Sequence, residues 1–362
     1  MRICLLEGDM SRAGGTERMA AWLANTLTRK WEVRLLSLRQ QGELFYSLNP
    51  EVGYQVVPQF SGKTGILRQI RWIRQFLRRE DIDWVINVDV GMGFYGILAA
   101  MGTGARVITW EHGNYWNNWD SRLFPLFRRF AARFSHGLVV LTHRDRENYT
   151  RNIPRCGPVS VIPNPVDRCE PAYCPENRVI LSAGHLVPNK GFHRAVEVAE
   201  KVLRDRPDWR WVICGEGPER ENLEKMIRKT GLEDRILLPG LVKDMESAYR
   251  DAAMVVLTSD LEGLPMVLLE GKARCLPLVA FDIMTGPSEI IREGTDGFLV
   301  EPFDLERMAE QIGSLMDDAE RRGALSAGAM EDRNRFSSEE IWKKWEKLLQ
   351  MNRKGTGKPR NV

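Results

Sequence analysis

The chain has 362 residues, of which 43% are hydrophobic and 28% are charged, and its formal net charge is +3. This composition is that of a globular protein, the length predicts two domains, and no run of about 18 apolar residues marks a membrane span. The charge is unevenly spread: residues 1–165 carry 22 Lys and Arg against 14 Asp and Glu, and the remainder carries 30 against 35. A basic first half favours an anionic partner such as a phosphate, a nucleic acid or the cytoplasmic leaflet of a membrane.

Short apolar runs alternate with helical patterns from the amino terminus onward. The predicted elements, in order, are a strand at MRICLLEG, a helix over 15–30, a strand at EVRLLSL, a helix over 66–80, and strands at WVINV, RVITWEH and GLVVLT. This alternation, with strands that read as buried, predicts a parallel sheet covered by helices.

The pattern breaks at 163–178, which holds four prolines and no periodicity and predicts a linker. It restarts with strands at RVILSAGHL, WRWVICGEG, RILLPG, AMVVLTS, LPLVAF and GFLV, and with helices at FHRAVEVAEKVLRDRP and ERENLEKMIRKTGL. We therefore predict an α/β protein with two doubly wound, Rossmann-like domains that face a cleft, 1–165 and 166–330. The last predicted parts are an amphipathic helix over 331–351, packed back through Ile341, Trp345 and Leu348, and a disordered tail over 352–362.

Three glycine-rich turns follow predicted strands. In GDMSRAGGTER, Gly14 and Gly15 let the backbone approach an anion at a helix N-terminus, while the lack of GxGxxG spacing disfavours a dinucleotide site. GHLVPNKGF places Lys190 just before a helix, where it can meet a diphosphate or remain a solvated surface lysine. GEGPER is a weaker signal of the same kind.

The stretch SDLEGLPMVLLEGKA places two glutamates around an apolar run. Pro265 fits the first turn of a helix, so we expect the N–H groups of Gly263 and Leu264 to face the cleft and bind phosphate. Glu262 is expected at the cleft mouth, and Glu270, on the second helical turn, can accept hydrogen bonds from two ribose hydroxyls. The alternative interpretation is a capping acid followed by a surface acid.

Six motifs occur in one order along almost the whole chain: GGTER, EHGN, VIPNPVD, GHLVPNKGF, GEGPER and EGLPMVLLE. Together they resemble a family 4 glycosyltransferase of the GT-B fold. The resemblance implies transfer of a sugar from a nucleotide-diphosphate donor, with retention of anomeric configuration and without a bound metal. It also implies that Glu270 binds the donor ribose, that Glu262 lies beside the donor sugar, and that Lys190 neutralises the diphosphate. By the same resemblance, Gly15 lets the first domain close on the diphosphate and His112 lies near the reacting sugar.

One position departs from the family pattern. His185 stands where the family usually has arginine, which makes a donor phosphate contact there dependent on pH. Lys190, the helix N-terminus and the glycine amides are expected to supply fixed positive potential where the leaving diphosphate gains charge. In a front-face retaining mechanism the leaving oxygen accepts the acceptor's proton, so no strong protein nucleophile is required.

Aromatic residues follow the EHGN motif. Tyr115, Trp116 and Trp119 suit stacking on acceptor sugar rings, and they equally suit packing. A competing motif, Asp81-Ile-Asp83, is formally the DxD metal signature of another glycosyltransferase fold. Because it lies at the amino end of a strand, we interpret it as a helix-end cap.

The basic segments ILRQIRWIRQFLRRE and RLFPLFRRFAARF mix arginines with large apolar residues. Both suit helices at an anionic membrane surface, and the alternative is ordinary amphipathic helices packed on the sheet. Nucleic-acid binding is disfavoured because the arginines accompany large apolar side chains. The amino terminus lacks signal-peptide features, and six scattered cysteines without a CxxC pair indicate reduced thiols. We expect a cytoplasmic protein, peripheral on the inner face of the cell membrane.

These observations predict a retaining hexosyl- or N-acetylhexosaminyltransferase. It would use a nucleotide-sugar, with UDP favoured, to extend a polyprenyl-linked glycan or a surface polysaccharide such as lipopolysaccharide. The segment TGPSEII resembles the loop of family members that act on surface glycans. Two alternatives stay open: a sugar-nucleotide epimerase of the same fold, and a nucleotide- or glycan-binding protein without catalysis.

Overall fold

A computed structural model describes residues 1–117 and 121–351, so the predicted disordered tail lies outside the described residues. The chain divides into two compact units, one spanning Met1–Pro163 and one beginning at Asn164. Each unit contains a parallel sheet flanked by helices, as the alternation of strand and helix patterns predicts.

The first unit has a seven-stranded parallel sheet in the order β3-β2-β1-β4-β5-β6-β7. Its strands are β1 (Arg2–Asp9), β2 (Glu32–Arg39), β3 (Val52–Val56), β4 (Trp84–Val88), β5 (Arg106–Trp110), β6 (Gly137–Val140) and β7 (Val159–Val161). Its helices are α1 (Gly15–Leu27), α2 (Gly65–Arg79), α3 (Val90–Ala100), α4 (Phe124–Phe134) and α5 (His143–Asn152). The strand order reverses between β1 and β4, so a crevice for ligands is expected beyond the carboxyl ends of these two strands.

The second unit has a six-stranded parallel sheet in the order β10-β9-β8-β11-β12-β13. Its strands are β8 (Val179–Ala183), β9 (Arg210–Cys214), β10 (Ile236–Gly240), β11 (Ala252–Leu257), β12 (Leu278–Phe281) and β13 (Gly297–Val300). Its helices are α6 (Phe192–Leu203), α7 (Arg220–Thr230), α8 (Met245–Asp251), α9 (Met266–Ala273), α10 (Pro287–Ile290), α11 (Leu305–Asp317), α12 (Ala319–Asp332) and α13 (Ser338–Met351). Here the order reverses between β8 and β11.

Helix α9 is held tightly against the sheet. A Cβ atom at Gly271 would lie 2.9 Å from Val255 Cγ2, so only glycine permits this approach. Lys272 is fully buried, and its ammonium donates to Asp296 Oδ2 at 2.7 Å and to the carbonyl of Ile290 at 2.8 Å. The apolar run of α9 therefore anchors the short segment that precedes it.

The carboxyl-terminal helix differs from the sequence prediction in its extent. Residues 319–332 form α12, and α13 begins only at Ser338. Ile341 and Trp345 of α13 are buried as predicted, but Trp342 and Leu349 complete the buried face and Leu348 is only half-buried. The buried face of the helix therefore includes Leu349 where the sequence predicted Leu348.

Helix α2 is an amphipathic helix packed on the first sheet. Ile70, Ile73 and Leu77 lie in the core, whereas Ile66 is 50% exposed. Ile66 follows the same helical face as these residues but lies in the first turn of the helix. No helix among residues 1–117 and 121–351 is long and apolar enough to cross a membrane.

The Asp81-Ile-Asp83 segment lies at the amino ends of β1 and β4. Asp83 Oδ2 accepts a hydrogen bond from the backbone N–H of Arg2 at 2.8 Å, and Asp81 Oδ2 lies 3.3 Å from the Arg2 guanidinium. The two carboxylates thus tie the end of α2 to the start of β1. All six cysteines are free thiols.

Candidate active site

The turn that carries Lys190 follows β8 at the carboxyl edge of the second sheet. A short 3-10 turn, Pro188–Lys190, ends at Gly191, whose φ of 63° is left-handed. A Cβ at Gly191 would lie 2.2 Å from the carbonyl oxygen of Thr258, and the Thr258 hydroxyl donates to the Gly191 carbonyl at 3.0 Å. Glycine therefore allows this turn to pack directly against the segment that follows β11.

That packing brings Lys190 and Glu262 together, although they are 72 residues apart in sequence. Lys190 Nζ donates to Glu262 Oε1 at 2.6 Å, and the Ser259 hydroxyl donates to the same oxygen at 2.7 Å. The Lys190 side chain is 27% exposed and that of Glu262 is 9% exposed. The ammonium is thus held at the surface of the sheet edge by a largely buried carboxylate.

The segment after β12 contacts the turn that carries Glu262. The Thr285 hydroxyl donates to the backbone carbonyl of Glu262. Gly286 has a left-handed φ of 104°, and a Cβ there would lie 2.7 Å from Pro265 Cδ. Three segments, which follow β8, β11 and β12, therefore meet at one edge, as parallel strands require.

The stretch from Gly263 to Glu270 connects this turn to α9. Pro265 is the N-cap residue and not a member of the first turn, because its ψ of 115° is extended. Leu264 is 5% exposed, so its side chain packs away from solvent. Glu270 lies on the second turn of α9, half-buried, as predicted.

Glu270 has a supporting residue that the sequence did not indicate. The hydroxyl of Tyr249, on α8, donates to Glu270 Oε2 at 2.5 Å, and Tyr249 is 1% exposed. Arg274 covers the Tyr249 ring, with its guanidinium carbon 4.5 Å from the ring centroid. These contacts fix the Glu270 carboxylate in one orientation. By contrast, His185 is exposed on the turn after β8.

In the first unit, His112 is the second residue after β5. Its ring centroid is 4.1 Å from that of Trp110, and its buried Nε2 has no hydrogen-bond partner among the described residues. Burial lowers the pKa of His112 to about 3, so the imidazole is neutral at physiological pH. A neutral, unpartnered ring nitrogen is suited to a hydrogen bond with a sugar hydroxyl.

The loop that contains His112 is held by a buried charged network. Glu111 accepts hydrogen bonds from the backbone N–H of Gly113 at 2.9 Å and from the Tyr149 hydroxyl at 2.5 Å. Arg128 Nε lies 3.4 Å from Glu111 Oε2, and its Nη2 donates to the carbonyl of Asn117 at 2.8 Å. Glu111 and Arg128 are each 1% exposed, so the pair is shielded from solvent and holds both ends of the loop.

The three aromatic residues predicted to contact an acceptor have different environments. Tyr115 is 3% exposed and packs edge-on against Tyr149 at 5.3 Å between ring centroids. The structure therefore assigns Tyr115 to the core, since neither face of its ring is open to a sugar. Trp116 is partly buried against the same cluster, and Trp119 lies outside the described residues.

Gly15 begins α1, with Gly14 as the N-cap residue. A Cβ at Gly15 would meet no atom within 4 Å. Packing among the described residues thus gives no reason for glycine at this position, and the space beside it is open to a ligand.

Two family models match consecutive parts of the chain. One, described as glycosyltransferase family 4, matches residues 13–169, and the other, described as glycosyl transferases group 1, matches residues 171–332. The chain belongs to glycosyltransferase family 4. Its two Rossmann-like units are those of the GT-B fold, and it is a glycosyltransferase.

Several known proteins are similar to this glycosyltransferase. An α-1,4-N-acetylgalactosaminyltransferase of Campylobacter jejuni, named for a glycan acceptor on diphospho-undecaprenol, is 27% identical, with 93% of this chain and 95% of that protein covered. An exopolysaccharide phosphotransferase of Streptomyces coelicolor is 38% identical over 62% of this chain, but the match spans only 24% of that longer protein. The structure of Staphylococcus aureus TarM with fondaparinux, α-GlcNAc-glycerol and UDP has a TM-score of 0.68 and 25% identity, covering 78% of this chain and 59% of TarM.

Within this family 4 glycosyltransferase, the described contacts join Lys190 directly to Glu262 and place Glu270 on the helix that follows. Gly15 and His112 belong to the first unit and follow different strands of its sheet. The roles predicted for Gly15, His112, His185 and the donor-side residues stay predictions. Tyr249, Tyr149 and Arg128 are supporting residues outside every motif, and Glu111, the first residue of the EHGN motif, had no role predicted for it.

Proposed function

We propose that this protein is a retaining glycosyltransferase that transfers a hexosyl or N-acetylhexosaminyl group from a UDP-sugar to a lipid-linked glycan or a surface polysaccharide. The observation that carries the proposal is the Lys190–Glu262 pair, 2.6 Å apart, at the carboxyl edge of a sheet whose next helix presents Glu270. In open α/β sheets this edge is where nucleotides bind.

The donor-side residues match the parts of a nucleotide-sugar. Lys190 supplies positive charge for the diphosphate, which gains negative charge as the glycosidic bond breaks. Glu270, oriented by Tyr249, offers carboxylate oxygens to the two ribose hydroxyls. Once the diphosphate engages Lys190, the Glu262 carboxylate becomes available to the hydroxyls of the donor sugar.

Retention of configuration accords with the chemistry of these side chains. Glu262 is engaged by a lysine and a serine, which suits an orienting role more than that of a nucleophile. In a front-face reaction the leaving phosphate oxygen takes the acceptor's proton, so the protein needs to hold the partners and stabilise charge. His112, neutral and with Nε2 unpartnered among the described residues, would hold a hydroxyl near the reacting carbon.

Relatives support the proposed substrates. The name of the Campylobacter jejuni relative describes a glycan acceptor carried on diphospho-undecaprenol, and the TarM structure contains UDP. The Streptomyces coelicolor relative is named for exopolysaccharide. We therefore place the proposed activity in polysaccharide biosynthesis, with no metal required and no nucleic-acid partner.

An exposed apolar face of α4 supports the proposal of a lipid-linked acceptor. Leu123, Leu126 and Phe134 are 62%, 56% and 55% exposed, and with half-buried Phe130 they follow one helical face. Arg129 and Arg133 are exposed beside them. An exposed apolar stripe flanked by arginines is typical of a helix that lies in an anionic membrane interface. We accordingly propose a cytoplasmic enzyme, peripheral on the inner face of the cell membrane.

The test is binding and turnover of nucleotide-sugars by the purified protein. UDP and UDP-sugars are expected to raise its melting temperature, because a ligand that binds only the folded state stabilises it. Lys190→Ala removes charge-assisted hydrogen bonds to the diphosphate and is expected to weaken UDP binding by roughly 10- to 100-fold. Lys225→Ala is the matched control, since Lys225 is an exposed lysine on α7.

The outcomes separate the alternatives. Equal UDP affinity in wild type and Lys190→Ala, or no shift with any nucleotide diphosphate, contradicts the donor site. Conversion of a UDP-sugar to its epimer without an acceptor identifies the epimerase. Donor binding without transfer to any glycan, even in the presence of membranes, identifies a non-catalytic binding protein. An inverted anomeric configuration in the product contradicts retention.

A further inference from the structure

The first unit contains a cavity of about 650 Å³, lined in part by the start of the glycine-rich stretch GDMSRAGGTER and in part by residues outside every sequence motif. It lies beyond the carboxyl ends of β1 and β2 and beside the first turn of α3. Its lining comes from the end of β1 and the loop after it, the end of β2 and the loop after it, and α3, namely Gly8, Asp9, Ser11, Arg12, Arg39, Gln41, Gly42 and Met92. Because the strand order reverses between β1 and β4, the cavity occupies the position at which open α/β sheets bind ligands.

Hydrogen bonds join the loops that form the cavity wall. Ser11 Oγ donates to Asp9 Oδ1 at 2.5 Å and accepts from the backbone N–H of Gln41 at 3.2 Å. Ser37 Oγ donates to the carbonyl of Arg39 and accepts from the backbone N–H of Met10 at 3.1 Å. The loops after β1 and β2 are thereby fixed to each other, so the cavity is a built feature of the fold.

The charge of the lining is positive. The Arg39 guanidinium makes no hydrogen bond or ion pair with the other described residues, and it is exposed to the cavity. Arg12 is 72% exposed and lies 3.6 Å from Glu17, whose pKa is raised by burial. The single acid of the lining, Asp9, has one carboxylate oxygen occupied by the hydroxyl and the N–H of Ser11. Two guanidinium groups therefore face one partly engaged carboxylate.

The volume and the charge of the cavity suit a small anionic ligand. A chamber of this volume accommodates a sugar residue together with a charged substituent. Guanidinium groups bind carboxylates and phosphates through paired N–H donors.

We propose that this cavity is a subsite for an anionic group, phosphate or carboxylate, on the acceptor. The proposal rests on the glycosyltransferase function proposed above, whose donor residues Lys190 and Glu270 belong to the other unit. Arg39 binds the anion, and Arg12 contributes a second guanidinium from the loop that precedes α1. The site would select acidic glycans or glycosyl phosphates over neutral sugars.

The test compares matched pairs of probes in the presence of saturating UDP. N-acetylglucosamine is compared with N-acetylglucosamine 1-phosphate, and glucose with glucuronic acid, by calorimetric titration. We expect at least one anionic member to bind about tenfold more tightly than its neutral partner. Preference for the phosphate indicates a lipid-phosphate source of the anion, and preference for glucuronic acid indicates an acidic residue within the glycan.

Two variants and a control assign the effect to the cavity. Arg39→Gln and Arg12→Gln are expected to abolish the preference for the anion while leaving the melting temperature and UDP affinity unchanged. Arg151→Gln is the matched control, because Arg151 is 76% exposed and paired with Glu147, much as Arg12 is paired with Glu17. The control is expected to retain the full preference.

Three results would overturn the inference: equal binding of neutral and anionic probes, retention of the preference in Arg39→Gln, or its loss in Arg151→Gln. UDP binding is measured on the same samples. UDP binding without anion preference contradicts the subsite alone, whereas absence of UDP binding contradicts the proposed donor site. The two proposals therefore fail by different measurements.

Discussion

Glu7 gives the most direct test of the electrostatics in the first unit. It lies on β1 and is 4% exposed, and its Oε2 has no hydrogen-bond partner among the described residues. Burial, and then the nearby Glu17 carboxylate, raise the pKa of Glu7 to about 8. The hydrogen bond from the backbone N–H of Gly8 lowers this pKa, but by less than burial raises it. The carboxyl group is therefore protonated in the folded protein at neutral pH.

The raised pKa of Glu7 makes the unfolding free energy of the protein decrease as the pH rises. Below the unfolded pKa of 4.5 both states are protonated, and Glu7 contributes no penalty. As the pH rises toward 8, the unfolded state releases the proton and the folded state does not, so the unfolding free energy falls by about 1.4 kcal/mol per pH unit. Over the interval from 4.5 to about 8 the loss reaches roughly 5 kcal/mol.

Glu7→Gln replaces the protonated carboxyl group with a neutral group of the same shape. The variant is expected to match wild type near about pH 5 and to exceed its unfolding free energy by roughly 3 to 5 kcal/mol near about pH 8. Urea unfolding across this range measures the difference, and hydrogen exchange of β1 amides assigns the transition to the first unit. Glu51→Gln, at an exposed acid, is the control. A difference that does not grow with pH would refute the reasoning.

Three further predictions concern other parts of the molecule. Lys272→Met leaves Asp296 buried without its closest cation, so the unfolding free energy measured in urea is expected to fall by about 3 to 5 kcal/mol. Adding Asp296→Asn is expected to restore part of it. A loss below about 1 kcal/mol contradicts this prediction. Because the pKa of His112 is about 3, His112→Gln is expected to lower kcat/KM without changing its pH profile near neutrality, whereas loss of an ionisation near about pH 6.5 would contradict a neutral imidazole. Leu126→Asp with Phe134→Asp is expected to reduce sedimentation with anionic vesicles by about tenfold or more; unchanged sedimentation argues against the α4 surface.

The sequence predicted the fold, and the proximity of Lys190 to Glu262 follows from the same local patterns. Alternating strand and helix signals imply a parallel sheet, and residues just after neighbouring strands lie at the same edge. Lys190 follows β8 and Glu262 follows β11, and these strands are adjacent, so their proximity was accessible to sequence reasoning. The motif order then supplied the family.

The supporting residues were not accessible in the same way. Arg128 and Tyr149 are 17 and 38 residues from Glu111, and no periodic pattern relates them. Sequence patterns predict that an arginine in a basic helix lies at the surface. Arg128 is such an arginine, but it is only 1% exposed. Tyr115 illustrates the reverse error, because an aromatic residue in a loop has the same sequence signature whether its ring faces a ligand or the core.

The Lys190–Glu262 pair has a consequence for turnover. The Glu262 carboxylate already binds the Lys190 ammonium, so it competes with the donor diphosphate for that ammonium. The affinity for the donor is therefore lower than an unpaired Lys190 would give. The same competition favours departure of the nucleoside diphosphate after transfer, because the lysine is not left uncompensated when the product leaves. In the proposed reaction, Glu262 thus moderates binding and assists product release, and removing its charge is expected to make UDP a stronger product inhibitor.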